Sequence, residues 1–477
     1  MKKYIWILLG LCLTGLASCE NWLDVKPKEQ VEEGDLFATG SGFRSALNYV
    51  YREMSSPELY GQELSWGFTE VLAQYYDLSN CNKPAYKAAL ESSVYDYKHS
   101  ETEALIEKIW SKGFNAIAHC NNIIQNIEKA DPVIFDEREV EKKLIWGEAL
   151  AARACLHFDM LRLFAPAPKL KNSGKYIPYC TKFPAVDNPA ETVDTVMKRV
   201  IRDLNQARNL VASFDTVRKA QISNVKQRLL ANGMDFLGNR GYRLNYYAIT
   251  ALLARVYLYG EDYKNAYQEA LAVYTSEMFK LVTSKSEYTG GNTKLRDEIV
   301  FSLYNNKLTE YYEALNYKSN AGNAYLVAKN LDIYDQDKDD YRRKEFIKDT
   351  NNFTVSMKYF PARNPAYVAS DKMIPMIRFS EIYHILTETA FTQADKDKSQ
   401  AYLYYLRYYR GAKRQLAFTD EESMLKELTL DIRKEYIGEG QTFFMYKRLN
   451  RNIMNNKNEL DMSKNFVLPI PVSETVH

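Results

Sequence analysis

The sequence predicts an all-α, mainly helical fold, and three observations carry that prediction. Glycine is scarce, 20 of 477 residues, which disfavours the turn-rich pattern of a β-protein. Apolar residues recur at helical spacing: Trp110, Phe114, Ile117, Ile124 and Ile127 fall on one face. Small residues stand where two helices must touch, at Ala248, Ala251, Ala254, Ala266 and Ala270, with Tyr257 and Tyr263 near the intervening turn. The helices are therefore expected in pairs.

The elements follow in order. Lys2 and Lys3 precede an apolar run over 4–16, and small residues lead to Cys19, the build of a secretory signal. The run is shorter than the ~20 residues that span a bilayer. Leu16-Ala17-Ser18-Cys19 resembles a bacterial lipobox, with the Cys19 thiol as the lipid attachment point; an ordinary signal with an incidental Cys19 is the competing reading. Residues 1–18 are expected to be a lipoprotein signal peptide and 19–477 a single domain whose function lies outside the cytoplasm. Each buried acyl CH₂ contributes about 0.8 kcal/mol, so several chains on one cysteine hold a protein to a membrane without a transmembrane helix.

A polar tether over 20–27 leads to a first helix over 42–54. Residues 57–99 read as an irregular, aromatic-rich loop region. Helices follow from 101 to the Asp131-Pro132 stop, from 136 to Pro166 with Leu144, Ala151, Ala154, Phe158 and Leu161 buried, and from about 191 to 210. Residues 19–212 form the N-terminal half. An insert over 213–242 has glycines but no dinucleotide fingerprint. The C-terminal half, 243–477, holds helix pairs at 245–275 and 378–413, of a kind that resembles tetratricopeptide repeats. Between them, 276–373 mixes minor short β-strands, such as 298–303, with polar loops. Stacked pairs leave one face for such insertions, and that looped face is the expected ligand-binding face.

Lys2 and Lys3 leave with the signal, so the remaining chain carries 61 basic and 61 acidic side chains. That balance argues against nucleic-acid binding, which relies on a basic surface. Cys81, Cys120, Cys155 and Cys180 are widely spaced with no CxxC; Cys120 and Cys155, in helical patterns, read as small buried hydrophobes.

No catalytic constellation is visible. His99, His119, His157, His384 and His477 are scattered, and neither HExxH nor GxSxG occurs. No catalytic residue, metal site or cofactor is assigned, and the protein is expected not to be an enzyme. The acidic run 335–340 begins like a calcium loop, but the sixth and twelfth positions are Asp340 and Phe346, where an EF-hand needs Gly and Glu; it reads as a solvated turn. Tyr402, Tyr404, Tyr405, Tyr408 and Tyr409 lie at helical spacing and read as packing between helices.

Four stretches then resemble one family. These are Cys19-Glu20-Asn21-Trp22-Leu23-Asp24-Val25-Lys26-Pro27; Gly147-Glu148-Ala149 through Arg153 and on to Phe158-Asp159-Met160-Leu161-Arg162-Leu163-Phe164; Arg378-Phe379-Ser380-Glu381-Ile382-Tyr383 through Glu388-Thr389-Ala390; and Arg433-Lys434-Glu435 through Gly438-Glu439-Gly440-Gln441-Thr442-Phe443-Phe444-Met445-Tyr446-Lys447-Arg448. With the tail Val467-Leu468-Pro469-Ile470-Pro471, they are similar to the SusD/RagB family of outer-membrane lipoproteins of Bacteroidetes. The resemblance implies four tetratricopeptide-like pairs and a non-enzymatic protein on the cell surface. It also implies a SusC-type TonB-dependent transporter as partner, over which the protein forms a lid, and an oligosaccharide as the nutrient it helps import. These motifs are scaffold, so no ligand residue carries over from them.

A tyrosine ring offers an apolar face to sugar C–H groups and a hydroxyl to the polar edge, and nearby Asn and Asp can hydrogen-bond ring hydroxyls. In the loops, Tyr75, Tyr76, Asp77, Asn80 and Asn82, with Tyr311, Tyr312, Asn316 and Tyr317, have that mix. Loops 57–99 and 304–330 are therefore expected to present aromatics to a glycan. A peptide ligand of the RagB type, or a lid that binds only its transporter, are the alternative readings. An extracellular glycosidase would need two carboxylates facing across a cleft.

Overall fold

The computed structural model describes residues 33–78, 87–218, 236–238, 240–315, 328–349, 354–455 and 458–474. Its principal helices are α1 (Gly40–Met54), α2 (Ser100–Lys129), α3 (Arg138–Phe164), α4 (Val193–Asp215), α5 (Tyr246–Tyr259) and α6 (Tyr263–Thr275). After the strand β1 (Ile299–Tyr304) come α7 (Leu308–Leu315), β2 (Met373–Arg378), α8 (Phe379–Thr392), α9 (Lys396–Tyr409), α10 (Glu421–Glu435) and α11 (Thr442–Leu449). Starts are set by side-chain caps: Asn245 accepts from the backbone N–H groups of Tyr247 and Ala248, Asp395 from that of Lys398, and Asp420 forms a capping box with Ser423. Such caps contribute about 1 kcal/mol each.

The helices stack in sequence. α1 lies on α2, α2 on α3, α3 on α4, α4 on α5, α5 on α6, α6 on α8, and α8 on both α9 and α10. Both expected pairs are present, α5 with α6 and α8 with α9, joined across residues 260–262 and 393–395. Ala248, Ala251, Ala254, Ala266 and Ala270 have no exposed surface, so the small residues do sit at helix contacts. Gly147 marks another: a Cβ there would lie 2.6 Å from Val211 Cγ1 and 2.9 Å from the Ala207 carbonyl oxygen, which is how closely α3 approaches α4. One hydrophobic cluster runs from Phe43 to Leu468.

β1 and β2 pair antiparallel, with Tyr304 opposite Met373. The other strand pairs among the described residues are hairpin-sized: Lys175–Ile177 with Glu191–Thr192, Ile347–Asp349 with Thr354–Ser356, and Ile453–Asn455 with Asn458–Leu460. Among the described residues no helix is long and apolar enough to cross a membrane.

The motif acids and bases pair with one another, or with distant residues, in the interior. Glu435, at the end of α10, accepts from Arg378 Nη1 at 2.5 Å, Arg410 Nη2 at 2.7 Å, Arg410 Nε at 3.0 Å and Arg342 Nη1 at 2.8 Å. Arg378 also reaches Glu439 at 2.7 Å, and Arg410 reaches Glu298 at 2.6 and 2.9 Å. Glu381 on α8 binds Arg255 on α5 at 2.6 and 2.7 Å, and Glu388 binds Arg448 on α11 at 2.7 and 2.6 Å. Glu148 in α3 accepts from Tyr51, Arg240 and Arg243 at 2.6, 2.5 and 2.7 Å. All of these acids are buried, and a buried charge is tolerated only when it is paired and hydrogen-bonded. The pairs thus tie successive helices into one register.

Three expectations are corrected. Residues 57–78 are not an exposed loop: Leu59, Tyr60, Leu64 and Trp66 are buried in a run of tight turns and Phe68 in the short helix Phe68–Leu72 that follows, because a segment so rich in large apolar side chains lowers its free energy by facing the core. The acidic run is not a wholly solvated turn. Asp337 is buried and accepts from Arg407 at 2.8 Å and Lys434 at 2.6 Å, and Asp340 accepts from Arg342, while Asp339 stays exposed beside Lys344. The α9 tyrosines divide as well: Tyr402 packs 5.5 Å from Tyr274, but Tyr405 and Tyr408 are exposed. Cys120 and Cys155 are buried free thiols, as their helical positions implied.

Candidate functional site

A cleft of about 1010 Å³ opens where four segments meet: the C-terminal turns of α1, residues 242–243, the end of β1 with the start of α7, and residues 368–373. α1 stops at Ser55, whose Oγ donates to the Arg52 carbonyl at 3.0 Å. The freed Ser55 carbonyl accepts from Asn305 Nδ2 at 2.6 Å. That bond joins the helix end to the strand end. Asn305 continues the β1–β2 pairing by donating its N–H to the Lys372 carbonyl at 2.8 Å, and its Oδ1 accepts from the Lys307 N–H at 2.8 Å. The last bond is a local Asx turn that starts α7.

The strand end delivers Tyr304, 60% exposed, to the mouth of this cleft. Tyr311, one turn into α7, and Tyr242 also line it. Amides come from Asn48, Asn305 and Asn306. Arg243 forms part of the wall; its guanidinium lies 4.6 Å over the Tyr51 ring and donates to Asn48 Oδ1 at 3.2 Å. The cleft therefore combines flat aromatic faces with hydrogen-bonding amides on a rigid frame, the composition of a small-ligand site.

Of the ligand residues expected from sequence, Tyr311 and Asp77 reach the surface, and Tyr311 alone of these lines the cleft. Tyr75, Tyr76 and Tyr312 lie in the interior around Trp66. The Tyr76 hydroxyl donates to the Trp66 carbonyl at 2.7 Å. The Tyr312 hydroxyl donates to the Ser356 carbonyl at 2.8 Å, with its ring edge-on to Trp66 at 5.1 Å. Tyr75 is buried with its ring 5.2 Å from that of Tyr76. Tyr75, Tyr76 and Tyr312 are 8%, 3% and 1% exposed, so these rings offer no open face to a sugar, which corrects their assignment to a platform. Asn80, Asn82, Asn316, Tyr317 and Cys19 lie outside the described residues.

The sequence reading missed Tyr304, Asn305 and Asn306 as ligand candidates, together with Arg52, Lys307 and Lys372. The signal for them is a β-branched run that ends in Tyr-Asn-Asn-Lys, an aromatic handed directly to a polar turn.

His157 and His384 hold structural bonds. His157 donates from Nδ1 to the Arg153 carbonyl at 2.9 Å and accepts at Nε2 from the Cys180 N–H at 2.9 Å; burial lowers its pKa to about 3 and keeps it neutral. His384 sits between Asp431 Oδ2 at 2.9 Å and the Tyr436 hydroxyl at 2.7 Å, so both ring nitrogens are occupied. Among the described residues no group of three or more His, Cys, Asp or Glu side chains is placed to hold a metal ion.

Stacked helix pairs carrying an open, aromatic-lined cleft define a fold of the helical-repeat class. A family model described as SusD-like, starch-binding associating with outer membrane, matches residues 21–221. A curated SusD-like protein of Formosa agariphila is 23% identical over 305 residues, 63% of this chain and 51% of that protein; the chain thus spans about half the length of the curated relative it matches. Among solved structures, a SusD superfamily protein from Bacteroides thetaiotaomicron superposes with a TM-score of 0.71 at 21% identity, covering 92% of this chain and 98% of the other. A SusD-like carbohydrate binding protein from Bacteroides vulgatus gives 0.70 at 18% identity, covering 92% and 96%. Surface glycan-binding protein A from Bacteroides uniformis gives 0.70 at 15% identity, covering 91% and 97%. These structures share the fold. Residues 21–221 thus match the SusD-like family model, and the chain shares its fold with SusD superfamily structures.

Proposed function

We propose that this protein is a surface lipoprotein, anchored to the outer membrane through Cys19 and facing the cell exterior, that binds an oligosaccharide and hands it to a SusC-type TonB-dependent transporter without altering it chemically. The observation that carries the ligand reading is the cleft: Tyr304 stands exposed beside Tyr311 and the amides of Asn305 and Asn306. A sugar needs both an apolar face and a dense set of hydrogen-bond partners. The family description and the names of the similar structures support a carbohydrate as the nutrient.

The test is calorimetric titration of residues 20–477 against a panel of oligosaccharides and a panel of short peptides. Saturable heat with one glycan class is expected. Binding confined to peptides would replace the glycan by a peptide, and silence with both panels would favour a lid that binds only its transporter.

A further inference from the structure

We infer that the ligand of the cleft is acidic, an oligosaccharide bearing carboxylate or sulfate groups. The inference rests on the reading of the cleft as a glycan site and adds the charge class. Four cationic side chains line it, Arg52, Arg243, Lys307 and Lys372, against one carboxylate, Glu53. Glu53 is already matched from outside the cleft by Lys112 Nζ at 2.5 Å, and Arg243 is matched by Glu148 at 2.7 Å. The other three cations are exposed. Among the described residues no carboxylate lies within ion-pair distance of them; Arg52 rests 4.7 Å over the Tyr49 ring and Lys372 lies 6.0 Å over the Tyr304 ring. Asp371, next in the chain to Lys372, accepts at Oδ1 from the Ala362 N–H at 3.0 Å and interacts with the charges of Lys294 and Lys372 without a direct ion pair to Lys372.

This concentration is local. The chain beyond residue 18 has equal numbers of acidic and basic side chains, and several exposed cations elsewhere sit beside acids, as Lys198 does with Asp194, Lys344 with Asp339 and Lys398 with Asp395. Lys372 and Tyr304 adjoin at the lip, so one sugar unit could lay its C–H face on the ring while its acidic group meets the ammonium. A lined cleft of one sign raises the local concentration of ligands of the other sign and speeds their arrival.

The experiment is titration of the full-length protein, purified in detergent, with three hexasaccharides: oligogalacturonate (carboxylate only), a κ-carrageenan oligosaccharide (sulfate only) and neutral maltohexaose. At least one acidic probe is expected to bind about tenfold or more tighter than maltohexaose, and which one does so separates carboxylate from sulfate recognition. Lys307→Ala and Lys372→Ala, both exposed and so harmless to folding, should each weaken acidic binding about three- to tenfold, and Tyr304→Ala should weaken it further. Raising salt from about 0.05 to 0.5 M should shorten the screening length and cut affinity by about tenfold. Maltohexaose binding as tightly as either acidic probe, and lost in Tyr304→Ala, would overturn the acidic class while leaving the cleft as a glycan site. Acidic binding untouched by all three substitutions would overturn both. Silence with both acidic probes overturns the acidic class.

Discussion

Replacing Glu435 by Gln should destabilise the protein by about 3–5 kcal/mol, the usual cost of breaking a buried ion pair from one side. The carboxylate has 1% of its side chain exposed and takes four hydrogen bonds from the guanidiniums of Arg342, Arg378 and Arg410. A glutamine keeps one oxygen and presents an NH₂ to guanidinium groups that have nothing to accept with, so two charge-assisted bonds are lost, each with a net contribution of about 1.5–3 kcal/mol. Glu298, Glu439, Asp340 and Asp431 remain to neutralise the three arginines in part, which keeps the expectation at the single-pair level. Urea unfolding at pH 7, followed by far-UV circular dichroism, reads the change as a lower midpoint at unchanged slope. The pH dependence gives a second reading. Burial would raise this carboxyl, but Arg410, Arg378 and Arg342 outweigh it and hold the pKa well below 4.5. A folded-state pKa below the unfolded one stabilises above about pH 4.5 and loses that contribution as pH falls further, so the acid limb should be shallower in the variant. A loss under about 1 kcal/mol would refute the view that this centre locks the helices together.

Other outcomes follow from the same geometry. Gly440 has φ +69° and a Cβ there would meet the Leu64 carbonyl oxygen at 2.2 Å; Gly440→Ala should cost more than the about 1 kcal/mol of an unstrained left-handed site, read by the same unfolding assay. Burial raises the Glu70 carboxyl to about 8, against the restraining N–H of Gly440 at 3.0 Å. An acid raised in the folded state stabilises fully below pH 4.5 and loses that contribution as pH rises toward 8, so Glu70→Gln should flatten the decline between pH 5 and 8 and exceed the wild type at pH 8; identical slopes in the two proteins would contradict this. His157, lowered to about 3, should contribute a fall in stability as pH drops from 6.5 toward 3, because the unfolded chain takes up the proton first; His157→Gln should reduce that fall in urea titrations over the window.

The scaffold was legible because its signals are local. Period-3.6 apolar faces placed α2, α3 and α4 to within a few residues, and the alanine spacing placed α5 against α6. The ion pairs that fix the stack were not legible: Glu381 and Arg255 are 126 residues apart, Glu435 and Arg342 93, and no periodicity connects them. Little of the candidate site was legible: of the expected ligand residues Tyr311 alone lines the cleft. Tyr311 and Tyr312 looked alike in a segment read as loop, but α7 makes it helical, and successive helical residues point about 100° apart, which sends Tyr311 to the cleft and Tyr312 into the core. Tyr75 and Tyr76 follow Gln74, whose φ of +60° turns the chain, and the following pair is drawn inward to Trp66 and Tyr334. Tyr304 fell inside the loop 304–330 expected to present aromatics, but nothing local to it shows that the end of β1 meets α1 and residues 368–373 to form the cleft.

Binding of sugar in the cleft underlies both the proposed function and the charge class of the ligand. The decisive measurement is a matched titration of wild type and a Tyr304→Ala/Tyr311→Ala variant with the oligosaccharide that binds best in the panel, both checked for equal thermal unfolding. Aromatic–sugar contact at both rings predicts a loss of at least about tenfold, since one stacked ring contributes on the order of 1 kcal/mol. Equal affinity in the two proteins would contradict the account and place the ligand elsewhere on the fold.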